Sequence, residues 1–171
     1  MTYFIDPFGC VKNQVDAENM MARLNKSGWT AAENTDDADL IIINSCGFIE
    51  SAKQESINAV LGWRKLYPRK KILLAGCLAQ RYAEELSEAL PEADGLFGIS
   101  NLGGIAEKAE SLFAANARTS KTSDRTGVCK TDSGKNGKTA ACKIQTGKRP
   151  LLSLPGSAYI KIGDGCCGNG K

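Results

Sequence analysis

The order of elements along this 171-residue sequence predicts an α/β domain with a doubly wound, mostly parallel sheet. Three observations carry that reading. Short aliphatic runs alternate with stretches of helical periodicity through the first two thirds of the chain. The run Leu40-Ile-Ile-Ile43 is apolar without alternation, as in a strand buried on both faces. Hydrophobic residues make up 42% of the chain but aromatics only 6%, which suits an aliphatic α/β core better than an aromatic-rich β-sandwich. Residues 1–115 are therefore expected to form one flavodoxin-like domain.

The elements follow in order. Tyr3 to Pro7 reads as a first strand, leading to Phe8-Gly-Cys10. Asn13 and Asp16 are candidate caps for a helix over about 14–27, with Val15, Met20, Met21 and Leu24 near helical spacing and Gly28 as its stop. Trp29 to Glu33 predicts a peripheral strand, and Asp36-Asp37 an acidic turn before the central strand. Asn44-Ser45 close that strand, Cys46-Gly47 occupy the turn, and a helix runs from about Ile49 until Tyr67-Pro68, where proline forbids continuation. Ile72 to Ala75 predicts another strand, Gly76-Cys77 a turn, and Ala79 to Leu90 a helix stopped by Pro91. Ala93 to Phe97 predicts the last core strand, and Asn101 a cap for a helix over Ile105 to Phe113.

Charge divides the chain. Lys and Arg number 11 against 16 Asp and Glu in residues 1–115, a net of −5; residues 116–149 hold 9 against 2, a net of +7. That second stretch is rich in Ser, Thr, Gly, Lys and Asn, lacks apolar periodicity, and reads as a flexible linker. Ribosome or RNA contact through its clustered cations is the alternative, although no aromatic interleaves to stack on bases. Residues 150–171 resume an apolar pattern, with Ala158 to Ile162 as a strand entering a further domain. No apolar run reaches eighteen residues and no secretory signal is visible, so a cytoplasmic protein without membrane attachment is expected.

Seven cysteines and no histidine point to metal or redox chemistry in a reducing compartment rather than to disulfides. Any proton transfer must use carboxylates, lysines, tyrosines, a cofactor or substrate groups, and no catalytic side chain is singled out. Cys10, Cys46 and Cys77 each follow a strand, adjoin a glycine and precede a helix. Carboxyl ends of strands in an open α/β sheet share one edge, where ligands bind. Their separations of 36 and 31 residues are those of successive βα units, so the three sulfurs are expected to converge. Helix amino termini stabilise anionic ligands, thiolates included. Any one of the three would pass for a buried structural cysteine, since that residue type often behaves as a small hydrophobe. Three in equivalent places argue for a shared site. Three thiolates without histidine suit an iron–sulfur cluster better than catalytic zinc. Cys129 and Cys142, without ligand-like spacing, read as unligated thiols.

Several blocks agree in order and spacing with one family. Gly9-Cys-Val-Lys-Asn-Gln-Val-Asp-Ala-Glu18, Asn44-Ser-Cys-Gly-Phe-Ile49 with Ala52-Lys-Gln-Glu-Ser-Ile57, and Gly76-Cys-Leu-Ala-Gln-Arg-Tyr82 with Glu85-Leu86 resemble the amino-terminal domain of the radical SAM methylthiotransferases. Pro91-Glu-Ala-Asp94 and Gly98 fit as well. The resemblance covers roughly residues 3–115 and resumes at about 150–166. Lys12-Asn13, Cys46-Gly-Phe-Ile49, Glu55-Ser-Ile57 and Cys77 to Tyr82 are similar to the branch that modifies an aspartate of small-subunit ribosomal protein twelve. The alternative branch acts on a tRNA adenosine and carries Gln-Met-Asn after its first cysteine.

The resemblance implies that Cys10, Cys46 and Cys77 hold an auxiliary 4Fe–4S cluster whose open iron carries the sulfur or methylthio group to be transferred. A second 4Fe–4S cluster binds and cleaves S-adenosylmethionine, and the resulting radical takes hydrogen from an unactivated carbon, which requires no general base. Gly47 and Gly76 would let backbone approach the cluster. Arg81 and Tyr82 stand either at the cluster's edge or in ordinary packing.

Tyr159-Ile-Lys-Ile-Gly-Asp-Gly-Cys166 resembles the lead-in to the family's Cys-x-x-x-Cys-x-x-Cys motif, which makes Cys166 a candidate metal ligand. The second cysteine would fall at Gly170 and the third beyond Lys171, so the site for S-adenosylmethionine is incomplete in residues 150–171, the start of a truncated radical SAM domain. A methylthiotransferase amino-terminal domain, inactive alone, is the expectation. A standalone iron–sulfur module and a flavodoxin-like thiol-redox protein are the other classes, the latter weakened by the lack of a Cys-x-x-Cys pair.

Overall fold

The structure, a computed structural model, describes residues 1–114, 150–152, 157 and 159. The linker expected over 116–149, with Cys129 and Cys142, lies outside the described residues, as do Cys166 and Cys167. Within residues 1–114 strands and helices alternate: β1 Thr2–Pro7, α1 Val11–Lys26, β2 Thr30–Ala31, β3 Leu40–Ser45, α2 Glu50–Leu66, β4 Lys71–Gly76, α3 Cys77–Arg81, α4 Ala83–Ala89, β5 Gly95–Phe97, a 3-10 segment Ile99–Gly104 and α5 Ile105–Ala114.

All strand pairings are parallel, in the order β2-β1-β3-β4-β5. This is the doubly wound, flavodoxin-like arrangement, with the chain reversing direction across the sheet after β2. Strand β3 takes the centre because its whole length is buried and it pairs on both sides, Ile41 with Phe4 and with Ile72. Its side chains alternate between two cores. Leu40 and Ile42 face a layer with Met20 and Leu24 of α1 and Ile105, Ala109 and Leu112 of α5. Ile41 and Ile43 face a layer with Val60 of α2, Leu78 of α3 and Leu86 of α4. Burying each such aliphatic side chain contributes roughly 1.5–3 kcal/mol relative to leaving it exposed.

Four local expectations are corrected. Asn13 and Asp16 do not cap α1; both lie inside it and are buried, and Cys10, with extended backbone (φ −90°, ψ 171°), is the N-cap residue. The helix expected from Ala79 to Leu90 is two helices, broken at Tyr82 (φ −123°, ψ 35°). Tyr82 is held from outside the helix: Lys53 Nζ lies 5.0 Å from its ring centroid and donates to its hydroxyl at 3.3 Å. Asn101 sits in a kink of the 3-10 segment (φ −135°, ψ 70°), one turn before α5, rather than at that helix's start. The peripheral strand shrinks to Thr30–Ala31, while Trp29 turns into the core against Phe113 at 5.8 Å between ring centroids.

Candidate metal centre

Each cysteine occupies the turn where a strand hands over to a helix, and all three turns lie on the carboxyl edge of the sheet. Cys10 ends the turn from β1 to α1, Cys46 follows the last residue of β3, and Cys77 opens α3 directly after β4. Cys10 is exposed, Cys46 and Cys77 are buried, and none is in a disulfide. Register fixes their neighbourhood: Pro7 lies opposite Asn44, and Ser45 opposite Gly76.

The turns are packed against one another through glycine. A Cβ on Gly9 would stand 2.6 Å from Cys46 Cβ and 3.4 Å from its sulfur, and φ of +95° independently favours glycine there. A Cβ on Gly47 would stand 2.9 Å from the carbonyl carbon and oxygen of Cys77. The Cys10 turn thus abuts Cys46, and the Cys46 turn abuts Cys77. The close contacts of Gly47 and Gly76 are with the chain itself. Gly76 (φ +106°) lies against β3, where a Cβ would come within 2.7 Å of Ser45 N and 2.9 Å of Asn44 Oδ1.

Buried polar groups fasten this edge. Asn13 Nδ2 donates to the carbonyl of Ser45 at 2.8 Å, and Asn44 Nδ2 donates to the carbonyl of Asn13. Cys10 Sγ donates to Asn13 Oδ1 at 3.5 Å, so one asparagine ties the first cysteine to the strand end that carries the second. Ser45 Oγ donates to the carbonyl of Ala75, joining that strand end to the one before Cys77. Two cations also stand here. Lys12 Nζ lies 3.8 Å from Cys77 Sγ and 3.2 Å from Asp16 Oδ2. Arg81 Nη1 reaches the carbonyl of Gly47 at 3.4 Å, the long limit for such a bond. Tyr82 is turned to Lys53 of α2, a packing role.

The mouth of the site is apolar. Val11, Phe48 and Ile49 are 47%, 71% and 56% exposed beside the first two cysteines. A cavity of about 230 Å³ is lined by Pro7, Phe8, Cys10, Val11, Gln14 and Leu152. Leu152 is held there by its N–H, which donates to the buried Glu18 Oε1 at 2.9 Å. Among the described residues no three His, Cys, Asp or Glu side chains stand close enough to chelate one metal ion. In a four-iron cluster each thiolate binds a different iron, so its ligands need not meet at a point. The three thiols on abutting turns are the residues that could hold such a cluster, with two cations beside them. Lys12 and Asn13 are the site residues whose roles sequence reasoning missed; the Lys12–Asp16 spacing of four was the available signal.

A parallel flavodoxin-like domain with three cysteines along its carboxyl edge defines the class. Over residues 2–98 the chain matches the family described as Uncharacterized protein family UPF0004, and it belongs to that family, the amino-terminal domain of methylthiotransferases. It is similar to the ribosomal protein uS12 methylthiotransferase RimO of Treponema denticola, with 47% identity over 95% of this chain and 33% of the relative. Relatives of the same name from Syntrophomonas wolfei and Clostridioides difficile are 39% and 37% identical over 92% and 96% of this chain. The chain spans about one third of the length of these curated relatives. No helix among the described residues is long and apolar enough to cross a membrane.

Proposed function

We propose that this chain is the cluster-binding part of a methylthiotransferase acting on an aspartate of the small-subunit ribosomal protein, with Cys10, Cys46 and Cys77 as ligands of an auxiliary 4Fe–4S cluster. The observation that carries the reading is the contact between turns: Gly9 against Cys46, and Gly47 against Cys77. The relatives' shared name supports the substrate, and a ribosomal protein as substrate puts the work in the cytoplasm.

When bound, the cluster supplies an open iron that can hold the sulfur or methylthio group. The chain's own residues do the rest. Asn13 holds the Cys10 and Cys46 turns in register, the glycines let the three turns close, and Lys12 sets a positive charge beside Cys77. Val11, Phe48 and Ile49 form an apolar rim that excludes water when a partner surface covers it.

Anaerobic reconstitution with iron(II) and sulfide tests the reading. About one cluster per chain is expected, with loss on alanine substitution of Cys10, Cys46 or Cys77 and retention on substitution of Cys129 or Cys142. Equal loss from the latter pair would overturn the assignment. The standalone iron–sulfur module shares the reconstitution result and separates from the methylthiotransferase reading by failing to support modification when a radical SAM domain is supplied.

A further inference from the structure

Lys12 follows Cys10 by two residues, yet its ammonium reaches the most distant in sequence of the three site cysteines, standing 3.8 Å from Cys77 Sγ. It is anchored there by Asp16 one helical turn on, at 3.2 Å, and the two side chains are only 14% and 1% exposed. A partly buried cation needs a reason, because removing it from water is costly unless charge and hydrogen bonds offset the loss. Asp16 supplies one partner. The sulfur supplies a second, and it becomes a strongly negative neighbour once ligated to iron. The rest of residues 1–115 carries net negative charge, so this cation is placed against the domain's overall balance.

We propose that Lys12 is a positioning residue of the metal centre. Its ammonium, held by Asp16, serves beside Cys77 Sγ as a fixed counter-charge and hydrogen-bond donor that raises the reduction potential of a cluster bound there. The inference rests on the reading that Cys10, Cys46 and Cys77 ligate that cluster. One-electron reduction adds negative charge to a partly dry site, and a fixed cation beside a ligating sulfur stabilises the reduced state more than the oxidised one. Lysine suits the task because its charge does not depend on the planar two-point geometry that arginine prefers.

The test is a dithionite-poised redox titration of the chain reconstituted with iron(II) and sulfide, followed by electron paramagnetic resonance, with iron content measured on each sample. Lys12→Gln keeps a donor on a side chain one bond shorter but removes charge. It is expected to shift the oxidised-to-reduced ratio about tenfold toward the oxidised form, a potential lower by about 59 mV for a one-electron couple. Lys12→Arg should restore most of the potential. The pair Lys12→Gln with Asp16→Asn removes both charges and separates the alternatives. If Lys12 only neutralises Asp16, the double variant recovers both stability and potential. Under the proposal it recovers stability while the potential stays low. An unchanged potential in Lys12→Gln with full iron content, or full recovery in the double variant, overturns the proposal. Should Lys12→Gln bind too little iron to titrate, the double variant decides by the same criterion. A wild-type chain that takes up no cluster would defeat the ligand assignment itself; a wild-type cluster with an unmoved potential defeats only the role of Lys12.

Discussion

Gly47 lies so close to Cys77 that a methyl group there would meet the Cys77–Leu78 peptide at 2.9 Å from carbon, oxygen and nitrogen alike. Backbone is the obstacle, and backbone between β4 and α3 has little room to yield. Gly47→Ala is therefore expected to part the Cys46 and Cys77 turns, at a cost of about 1–3 kcal/mol typical of overpacking. Cluster uptake should fall with it. Urea denaturation of the apo-protein and iron per chain after reconstitution check the two effects separately. Wild-type values in both would show that the turns are not clamped together here.

Asn13 links two of the three cysteine turns, through Ser45 and through Cys10. Removing its amide leaves the buried carbonyl of Ser45 without that donor, a loss of roughly 1–3 kcal/mol. Asn13→Ala should lower the unfolding free energy by that amount and reduce cluster retention against a chelator. Asn13→Asp, which substitutes an acceptor for the donor, should be at least as harmful. Stability in either variant equal to wild type would deny the asparagine its structural role.

What could be read from the sequence was what repeats locally. Leu40 to Ile43 announced a doubly buried strand because nothing polar interrupts it, and the three Gly–Cys pairings marked one edge by position alone. Asn13 was misread as a cap because a helix-start window sees a polar side chain and not the Ser45 carbonyl 32 residues on. The break at Tyr82 has no glycine or proline to mark it, and the contact Tyr82 makes there comes from Lys53 of another helix. Lys12 and Cys77 are 65 residues apart, and only the register of β1, β3 and β4 brings them together.

Asp94 gives the fold a pH dependence of definite sign. Burial pushes its carboxyl up, but hydrogen bonds from the Ile72 N–H, Arg64 and Lys71 outweigh that and hold it below its ordinary 3.8. A depressed carboxyl contributes stability that is complete above its unfolded value and lost as pH falls through the folded one. Asp6 runs the other way, because burial raises its pKa despite the Trp63 donor 3.2 Å away. Its contribution is present below the unfolded value and fades as pH rises through the folded one. Wild type should therefore lose stability below about pH 4, and Asp94→Asn should flatten that fall while lowering stability at neutral pH by roughly 1.5–3 kcal/mol. Thermal melts between pH 2.5 and 7 measure both, and an unaltered acid limb in Asp94→Asn would remove Asp94 from the account.

Arg81 is the second cation at the site, and its tie is to backbone rather than to sulfur: Nη1 reaches the Gly47 carbonyl at 3.4 Å. A bond that long adds little to stability. Arg81 is exposed, so Arg81→Ala should then change unfolding free energy by less than about 1 kcal/mol, in keeping with surface substitutions. Its guanidinium nevertheless lies against the turn that carries Cys46, so any cluster bound there would feel the charge. The expected outcome is normal iron content with a modestly lower reduction potential, and Arg81→Lys should recover part of the shift because charge, not fork geometry, is what acts at this distance. A potential identical to wild type, with normal iron, would assign Arg81 to holding the Gly47 turn and leave Lys12 as the cation that tunes the site.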